Sequence, residues 1–203
     1  IFPSSEIFID VIMRRPLGFG VMDSDIESKQ WEYLKSLCET VLTRRPLIVV
    51  SNRGPLQHHL MSNGRIEVRK GSGGVVIALN TLTQMLGFTW ISSAMGDQDR
   101  KADLASQGEP IKSTLPGQRI NVRFVPVQRR SYHKFYNIFC NPLLWFLQHH
   151  MWNSPYNPNV DLETHDSWIN GYTTVNEAFS KIVLEESNRH TEPPIVMSHD
   201  YHL

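Results

Sequence analysis

Residues 47–55 read LIVVSNRGP and contain the clearest strand signal of the chain. The first four residues form a short β-rich run without a polar member, which is typical of a buried strand in a parallel sheet. Glycine and proline favour turns, so we expect the strand to end at Ser51-Asn52-Arg53-Gly54-Pro55. In open α/β sheets, ligands bind outside the carboxyl ends of the strands. Asn52 and Arg53 are therefore candidate binding residues.

The segments beside this strand alternate between helical and extended patterns. Upstream, the apolar spacing after residue 26 predicts a helix that ends before Arg44. Downstream, residues 56–70 are polar around Ser62-Asn63-Gly64, which predicts an exposed hairpin or a mobile loop. Gly71-Ser72-Gly73-Gly74 then opens a predicted helix with apolar residues at steps of four and three, and Gly87 is placed to end it.

Three further runs predict strands, at residues 88–91, 119–127 and 195–197, and a helical pattern spans residues 168–182. Strands that alternate with helices form a parallel sheet covered on both faces. The sequence therefore predicts the α/β class, with a Rossmann-like, mainly parallel sheet that carries helices on both faces.

Composition limits the function classes. The chain has 203 residues, and 20 Lys plus Arg balance 20 Asp plus Glu, so no global charge favours nucleic acid or an anionic membrane. No apolar run approaches the roughly 18 residues of a membrane span. The two cysteines lack a metal-ligand spacing, which favours a reducing compartment. We expect a soluble cytoplasmic protein without nucleic-acid or membrane partners.

Three polar groups follow predicted strands, at residues 52–53, 92–100 and 199–202. We expect them to converge on one rim of the sheet, with Arg53, Trp90 and Asp200 along it. Asp200 is placed to accept hydrogen bonds from a polyhydroxylated ligand or to cap a following helix.

Two basic segments are candidate anion sites, although exposed arginines are more often simply solvated. The first basic zone, residues 44–70, holds six cations against one acid, Glu67, and the second basic zone, residues 119–134, holds five cations and no acid. Their cations are Arg44, Arg45, Arg53, Arg65, Arg69 and Lys70 in the first, and Arg119, Arg123, Arg129, Arg130 and Lys134 in the second. Each zone could hold a phosphate or form a solvated surface.

Other motifs leave alternatives open. Gly73 and Gly74 before a helix would let a phosphate approach the backbone, or would form a flexible turn. Trp145 suits a core position or stacking on a ligand. The nine histidines lack a third ligand at a recognisable spacing, so we predict no metal site.

Five motifs in this order resemble the trehalose-6-phosphate synthase family of retaining glycosyltransferases. They are Val50 to Pro55, the Gly-Gly helix opening, Phe135-Tyr136-Asn137 followed by Leu144-Trp145, Tyr172-x-x-Val175-Asn176-x-x-Phe179, and His199-Asp200-Tyr201-His202-Leu203. The resemblance covers about residues 46–203. It implies the N-terminal, acceptor-side Rossmann-like half of a two-domain GT-B enzyme, truncated before the nucleotide-sugar domain, with residues 1–45 as an N-terminal extension and helix.

The resemblance also implies roles. The family transfers glucose from a nucleotide-diphosphate glucose, such as UDP-glucose, to glucose 6-phosphate with retention, and it needs no cofactor or metal. Arg53 and Tyr136 would hold the acceptor phosphate, Trp145 and Asp200 the acceptor sugar, and Gly73 and Gly74 the donor pyrophosphate. No catalytic side chain is identified in this span, the chain alone is expected to be inactive, and self-association into a homo-oligomer is left open.

One motif departs from the family pattern Trp-x-Gly-Trp-x-Gly. The chain reads Trp90-Ile91-Ser92-Ser93, with serine where the second tryptophan is expected. A different sugar-phosphate or cyclitol-phosphate acceptor, or a non-catalytic sugar-phosphate-binding module, is therefore the alternative.

Overall fold

The computed structural model describes residues 45–151 and 160–203, together with positions 29, 32, 33, 35–38, 40 and 42. The strands are β1 (Leu47–Ser51), β2 (Leu56–Leu60), β3 (Ile66–Lys70), β4 (Thr89–Ser93), β5 (Ile111–Lys112), β6 (Asn121–Val125) and β7 (Ile195–His199). The α-helices are α1 (Gly74–Met85), α2 (Asp97–Ser106), α3 (Arg129–His133), α4 (Trp145–Gln148), α5 (Leu162–Ser167) and α6 (Thr174–Ser187). The described positions between 29 and 42 are helical, whereas residues 1–28 of the predicted N-terminal extension and helix (residues 1–45) lie outside the described residues.

The main sheet has the strand order β5-β6-β4-β1-β7. Strands β6, β4, β1 and β7 are parallel, and the short β5 pairs antiparallel to β6. Ser51 at the end of β1 is in register with Ser92 on one side and with His199 on the other. The carboxyl ends of three neighbouring strands therefore meet at one edge of the sheet.

Side chains of β1 alternate between two apolar layers because successive residues of a strand point to opposite faces. Leu47 and Val49 pack in a cluster with residues of α1, while Ile48 and Val50 pack in a second cluster with residues of α6. All five residues of β1 are buried. Helices cover both faces, so the predicted α/β class with a mainly parallel sheet is confirmed.

Helix α1 begins at Gly74, directly after the predicted glycine turn, and its apolar residues Val76, Leu79 and Leu82 are buried. It ends at Met85, where Leu86 adopts an extended conformation, and the predicted stop Gly87 is the next residue. The preceding polar segment forms the antiparallel hairpin of β2 and β3, which is the first of its two predicted forms.

Two π-helical segments interrupt the helices beside the sheet, at Lys134–Leu144 and Trp168–Thr173. The first contains Pro142, which has no N–H to continue an α-helical hydrogen-bond pattern. Gly171 lies where the two segments meet, since a Cβ at this position would be 2.6 Å from the backbone nitrogen of Phe135. Glycine thus permits the close contact that holds the first π-helical segment in place.

Candidate functional site

A cavity of about 360 Å³ opens at the carboxyl edge of the sheet, between β1, β7, the start of α1 and the first π-helical segment. All six residues predicted for the site, Arg53, Gly73, Gly74, Tyr136, Trp145 and Asp200, line this cavity. The remaining lining residues are Ser51, Asn52, Val75, Val76, Tyr201 and His202. Residues far apart in sequence are therefore brought to one place by the parallel strand ends.

Arg53 and Tyr136 form a contact pair in this cavity. A terminal guanidinium nitrogen of Arg53 donates to the Tyr136 hydroxyl at 3.4 Å, and the guanidinium carbon lies 5.8 Å from the centre of the ring. This hydrogen bond raises the pKa of Arg53 and lowers the pKa of Tyr136. The pair presents a permanent cation and a phenolic hydroxyl, which is a suitable donor set for a phosphate.

The start of α1 supplies backbone donors. Gly73 has a φ of 123°, a conformation that residues with a Cβ rarely adopt, and a Cβ there would lie 3.3 Å from Cδ of Arg53. The first hydrogen bond of the helix runs from the Ile77 N–H to the Gly73 carbonyl, so the N–H groups of residues 74–76 have no intrahelical partner. Such a helix start favours an anion.

The first π-helical segment explains why Tyr136 and Trp145 can both line the cavity. They are nine positions apart, which in an α-helix of 3.6 residues per turn is two and a half turns and places them on opposite faces. A π-helix, with its i to i+5 hydrogen bonds, has about 4.4 residues per turn, so nine positions are close to two full turns. The wider helix therefore brings both rings to one face.

Asp200 occupies an unusual backbone conformation directly after β7, with a φ of 77°. One carboxylate oxygen accepts the N–H of Tyr201 at 2.8 Å, and the other lies 3.1 Å from Nδ1 of His202. These contacts fix the direction of the carboxylate at the cavity wall. Each oxygen keeps a lone pair for a ligand hydroxyl.

Buried hydrogen bonds hold the residues that precede Arg53. Trp90 Nε1 donates to the Ser51 hydroxyl at 2.8 Å, and Asn52 Oδ1 accepts from the hydroxyls of Ser93 at 2.9 Å and Tyr132 at 3.1 Å. Burial raises the pKa of Tyr132 to about 12, so its hydroxyl remains a donor at neutral pH. This network holds the turn that presents Arg53.

The expectation for Trp90 was wrong. It is the second residue of β4 and is fully buried, so it lies in the core and not on the rim. Ser93, the departure from the family motif, is also buried and does not line the cavity. Its hydroxyl instead orients Asn52, which does.

Comparison with known proteins decides the family. The sequence profile of glycosyltransferase family 20 matches residues 45–203. The chain belongs to glycosyltransferase family 20.

Curated relatives and solved structures agree with this family 20 assignment. The chain is 33% identical over 160 residues to an alpha,alpha-trehalose-phosphate synthase [UDP-forming] A of Dictyostelium discoideum, covering 77% of the chain and 19% of the relative. It is 27% identical over 172 residues to the Schizosaccharomyces pombe enzyme, covering 84% of the chain and 30% of the relative. An alpha,alpha-trehalose 6-phosphate synthase structure from Burkholderia multivorans shares the fold, with a TM-score of 0.50, 21% identity and coverage of 78% and 28%. The chain thus spans less than a third of the length of these proteins.

The second predicted polar group, residues 92–100, does not line the cavity of this family 20 chain. Asp99 is buried and accepts N–H groups from Gly96 and His58, which joins the start of α2 to the β2–β3 hairpin. Asp97 pairs with Arg129 at 2.6 Å. These side chains stabilise the surrounding loops.

The two basic zones differ in whether their cations line the cavity. Of the described cations in the first zone, Arg53 alone lines the cavity, while Arg45 donates to the carbonyls of Pro193 and Pro194. No residue of the second zone lines it. There, Arg123 pairs with Glu185 and Glu186, Arg129 pairs with Asp97, and Lys134 pairs with Asp166. Three of the five cations of the second zone are thus paired with carboxylates, and its interpretation as a phosphate clamp stays a prediction.

Sequence reasoning assigned no role to two lining residues of the terminal motif, Tyr201 and His202, although it quoted both. His202 is buried, and burial lowers its pKa. The sequence could have identified both by their position, because they directly follow Asp200. Asn52 was a candidate as the neighbour of Arg53, and it lines the cavity as expected.

Among the described residues, no cluster of three or more histidine, cysteine or acidic side chains is placed to hold a metal. None of the described helices has the length and apolar character needed to cross a bilayer, and the cytoplasmic location stays a prediction. An open groove of about 750 Å³ follows α6 and contains no predicted site residue.

Proposed function

We propose that this chain is the acceptor-binding part of a trehalose-phosphate synthase. In this proposal the whole protein transfers glucose from a nucleotide-diphosphate glucose to glucose 6-phosphate, with retention at the anomeric carbon, and forms trehalose 6-phosphate. The supporting observation is that all six residues matched to the family line one cavity. The names of the relatives support UDP-glucose as the donor.

The residues of the cavity divide into three chemical roles. Arg53 and the Tyr136 hydroxyl hold the acceptor phosphate, since the guanidinium supplies a permanent charge and the phenol a neutral donor. Asp200 accepts sugar hydroxyls and Trp145 offers its ring to the apolar face of the sugar. The backbone N–H groups after Gly73 approach the donor pyrophosphate.

Catalysis in this proposal depends on positioning and on stabilising the departing nucleotide phosphate. No nucleophilic side chain is assigned in the described residues. The cavity therefore supplies the acceptor in a fixed orientation, while the leaving diphosphate needs cations from parts of the protein outside this chain. We expect residues 1–203 to bind the acceptor weakly and to be inactive alone.

Product analysis on the whole protein tests the proposal. Incubation with UDP-glucose or ADP-glucose and glucose 6-phosphate is expected to yield trehalose 6-phosphate together with the free nucleotide. A matched pair of variants completes the test: Arg53→Ala should lose most of the activity, whereas Arg129→Ala, which removes an exposed cation outside the cavity, should keep it.

Three outcomes would contradict this proposal. Nucleotide release without a glycosylated product would oppose transfer. Product formation with another sugar phosphate or a cyclitol phosphate would make that compound the acceptor in place of glucose 6-phosphate, as Ser93 in the family motif suggests. Glucose 6-phosphate binding without turnover by the whole protein would favour a non-catalytic sugar-phosphate-binding module.

A further inference from the structure

His202 has a fixed place in the cavity wall and is 6% exposed. Its ring stacks on Tyr136, with centres 5.4 Å apart, and on Tyr201, with centres 4.2 Å apart. The side-chain amide of Asn176 donates to the His202 carbonyl at 3.2 Å. Rings on one side and the backbone on the other therefore hold the imidazole in a defined orientation.

One imidazole nitrogen lacks a partner despite this burial. Nδ1 lies 3.1 Å from a carboxylate oxygen of Asp200, whereas Nε2 has no hydrogen-bond partner among the described residues. Buried polar atoms in native proteins usually have a partner. A buried imidazole nitrogen without a partner, in the wall of a cavity, therefore indicates that a bound ligand contacts it.

The charges around His202 determine its protonation when the site is empty. The ionisable groups that face it are Arg53, Asp200, Tyr136 and Tyr201. Burial lowers the pKa of His202, the Arg53 charge lowers it further, and Asp200 opposes both effects. The lowered pKa of His202 favours its neutral imidazole when the site is empty.

A bound phosphate would change this balance. A phosphate monoester is mainly a dianion above its second pKa of about 6. In the cavity, Arg53 supplies one full positive charge, and the hydroxyl of Tyr136 is neutral. A second negative charge placed near a neutral imidazole favours the imidazolium form.

We propose that His202 takes up a proton when a phosphate monoester binds beside Arg53, and that its imidazolium is the second cationic partner of the phosphate. This inference rests on the proposed function of the cavity as the acceptor-phosphate site. The proton comes from the solvent and goes to a ring nitrogen of His202. No covalent bond of the acceptor forms or breaks in this step.

Calorimetric titration with glucose 6-phosphate tests the proposal. Titrations at about pH 7.5, where the phosphate is already mainly dianionic, are run in two buffers that differ in ionisation enthalpy. The difference in observed heat gives the number of protons bound, and we expect a net uptake of a fraction of a proton per ligand, because the bound phosphate raises the pKa of His202. His202→Gln should abolish the uptake and weaken affinity about tenfold.

The matched control is His199→Gln. His199 is the neighbouring histidine of the same motif, its pKa is also lowered by burial, and it does not line the cavity. This variant should keep the proton uptake. As a measurement that needs no variant, the imidazole resonances of the unmodified chain should titrate at higher pH when glucose 6-phosphate is bound.

The outcomes separate this inference from the proposed function. Binding without proton uptake, or an equal uptake by His202→Gln, would overturn the role of His202 and leave the acceptor site intact. An unchanged imidazole titration in the presence of bound ligand would do the same. Absence of glucose 6-phosphate binding by the unmodified chain would overturn both proposals.

Discussion

The first and second basic zones look alike in sequence but differ in what neutralises them. Three cations of the second zone are paired with carboxylates that lie 32 to 63 positions away, whereas Arg53 of the first zone contacts a neutral tyrosine at the cavity. A cation already paired with a carboxylate has little electrostatic attraction left for a ligand. The pairing of each arginine therefore indicates its role better than the local density of positive charge.

The strongest test of this contrast is Arg123→Ala in the second zone. Arg123 and Glu186 are each 2% exposed and lie 3.6 Å apart, so the variant removes the buried cation of this carboxylate and leaves it only Arg189, a more exposed cation 3.4 Å away. We expect the free energy of unfolding to fall by about 3–5 kcal/mol. Urea denaturation measures it, and a loss below 1 kcal/mol would show that Arg123 is not a structural residue.

The second test, Arg53→Ala, should affect binding and not stability. Loss of one charge-assisted hydrogen bond is expected to weaken glucose 6-phosphate binding by about 1.5–3 kcal/mol, or one to two decades in affinity. Calorimetry measures the affinity, and circular dichroism checks the fold. Arg129→Ala is the control, because its exposed pair with Asp97 lies outside the cavity. Equal affinities for the two variants would refute the assignment of Arg53.

The smallest expected effect concerns Asp200, the carboxylate of the cavity. Its φ of 77° is accessible to glycine but costs alanine roughly 1–2 kcal/mol. We expect Asp200→Ala to be less stable than Asp200→Gly by about that amount, while both lose affinity for glucose 6-phosphate. Thermal denaturation compares the two variants. If Asp200→Gly retained full affinity, the carboxylate would have no part in sugar binding.

The site could be predicted largely because it depends on strand ends. LIVV at residues 47–50 identifies β1, and register then places Arg53 and Asp200 at neighbouring strand ends. Such logic needs only the positions of strands along the chain. It accounts for Arg53 and Asp200, whereas Gly73, Gly74, Tyr136 and Trp145 were expected from the resemblance to the family. The roles of all six remain predictions.

The remaining features depend on contacts that sequence spacing does not determine. The pairing of Arg123 with Glu186 requires β6 and α6 to cross at one point of the sheet, and many other partners were available in the sequence. Trp90 was expected on the rim because the predicted strand ends at Ile91, two residues before β4 ends. The π-helical segments share their apolar residues with an ordinary helix, so periodicity did not reveal them.

The first π-helical segment also makes the site sensitive to chain length. Deleting Pro142, the residue of this segment that lacks an N–H, would let the segment close into a regular α-helix, which retains its backbone hydrogen bonds. Eight positions in an α-helix turn the two rings about 80° away from each other, so one of them would leave the cavity. A one-residue deletion can thus leave a folded protein with a dismantled acceptor site, while most substitutions in the same segment change one contact at a time.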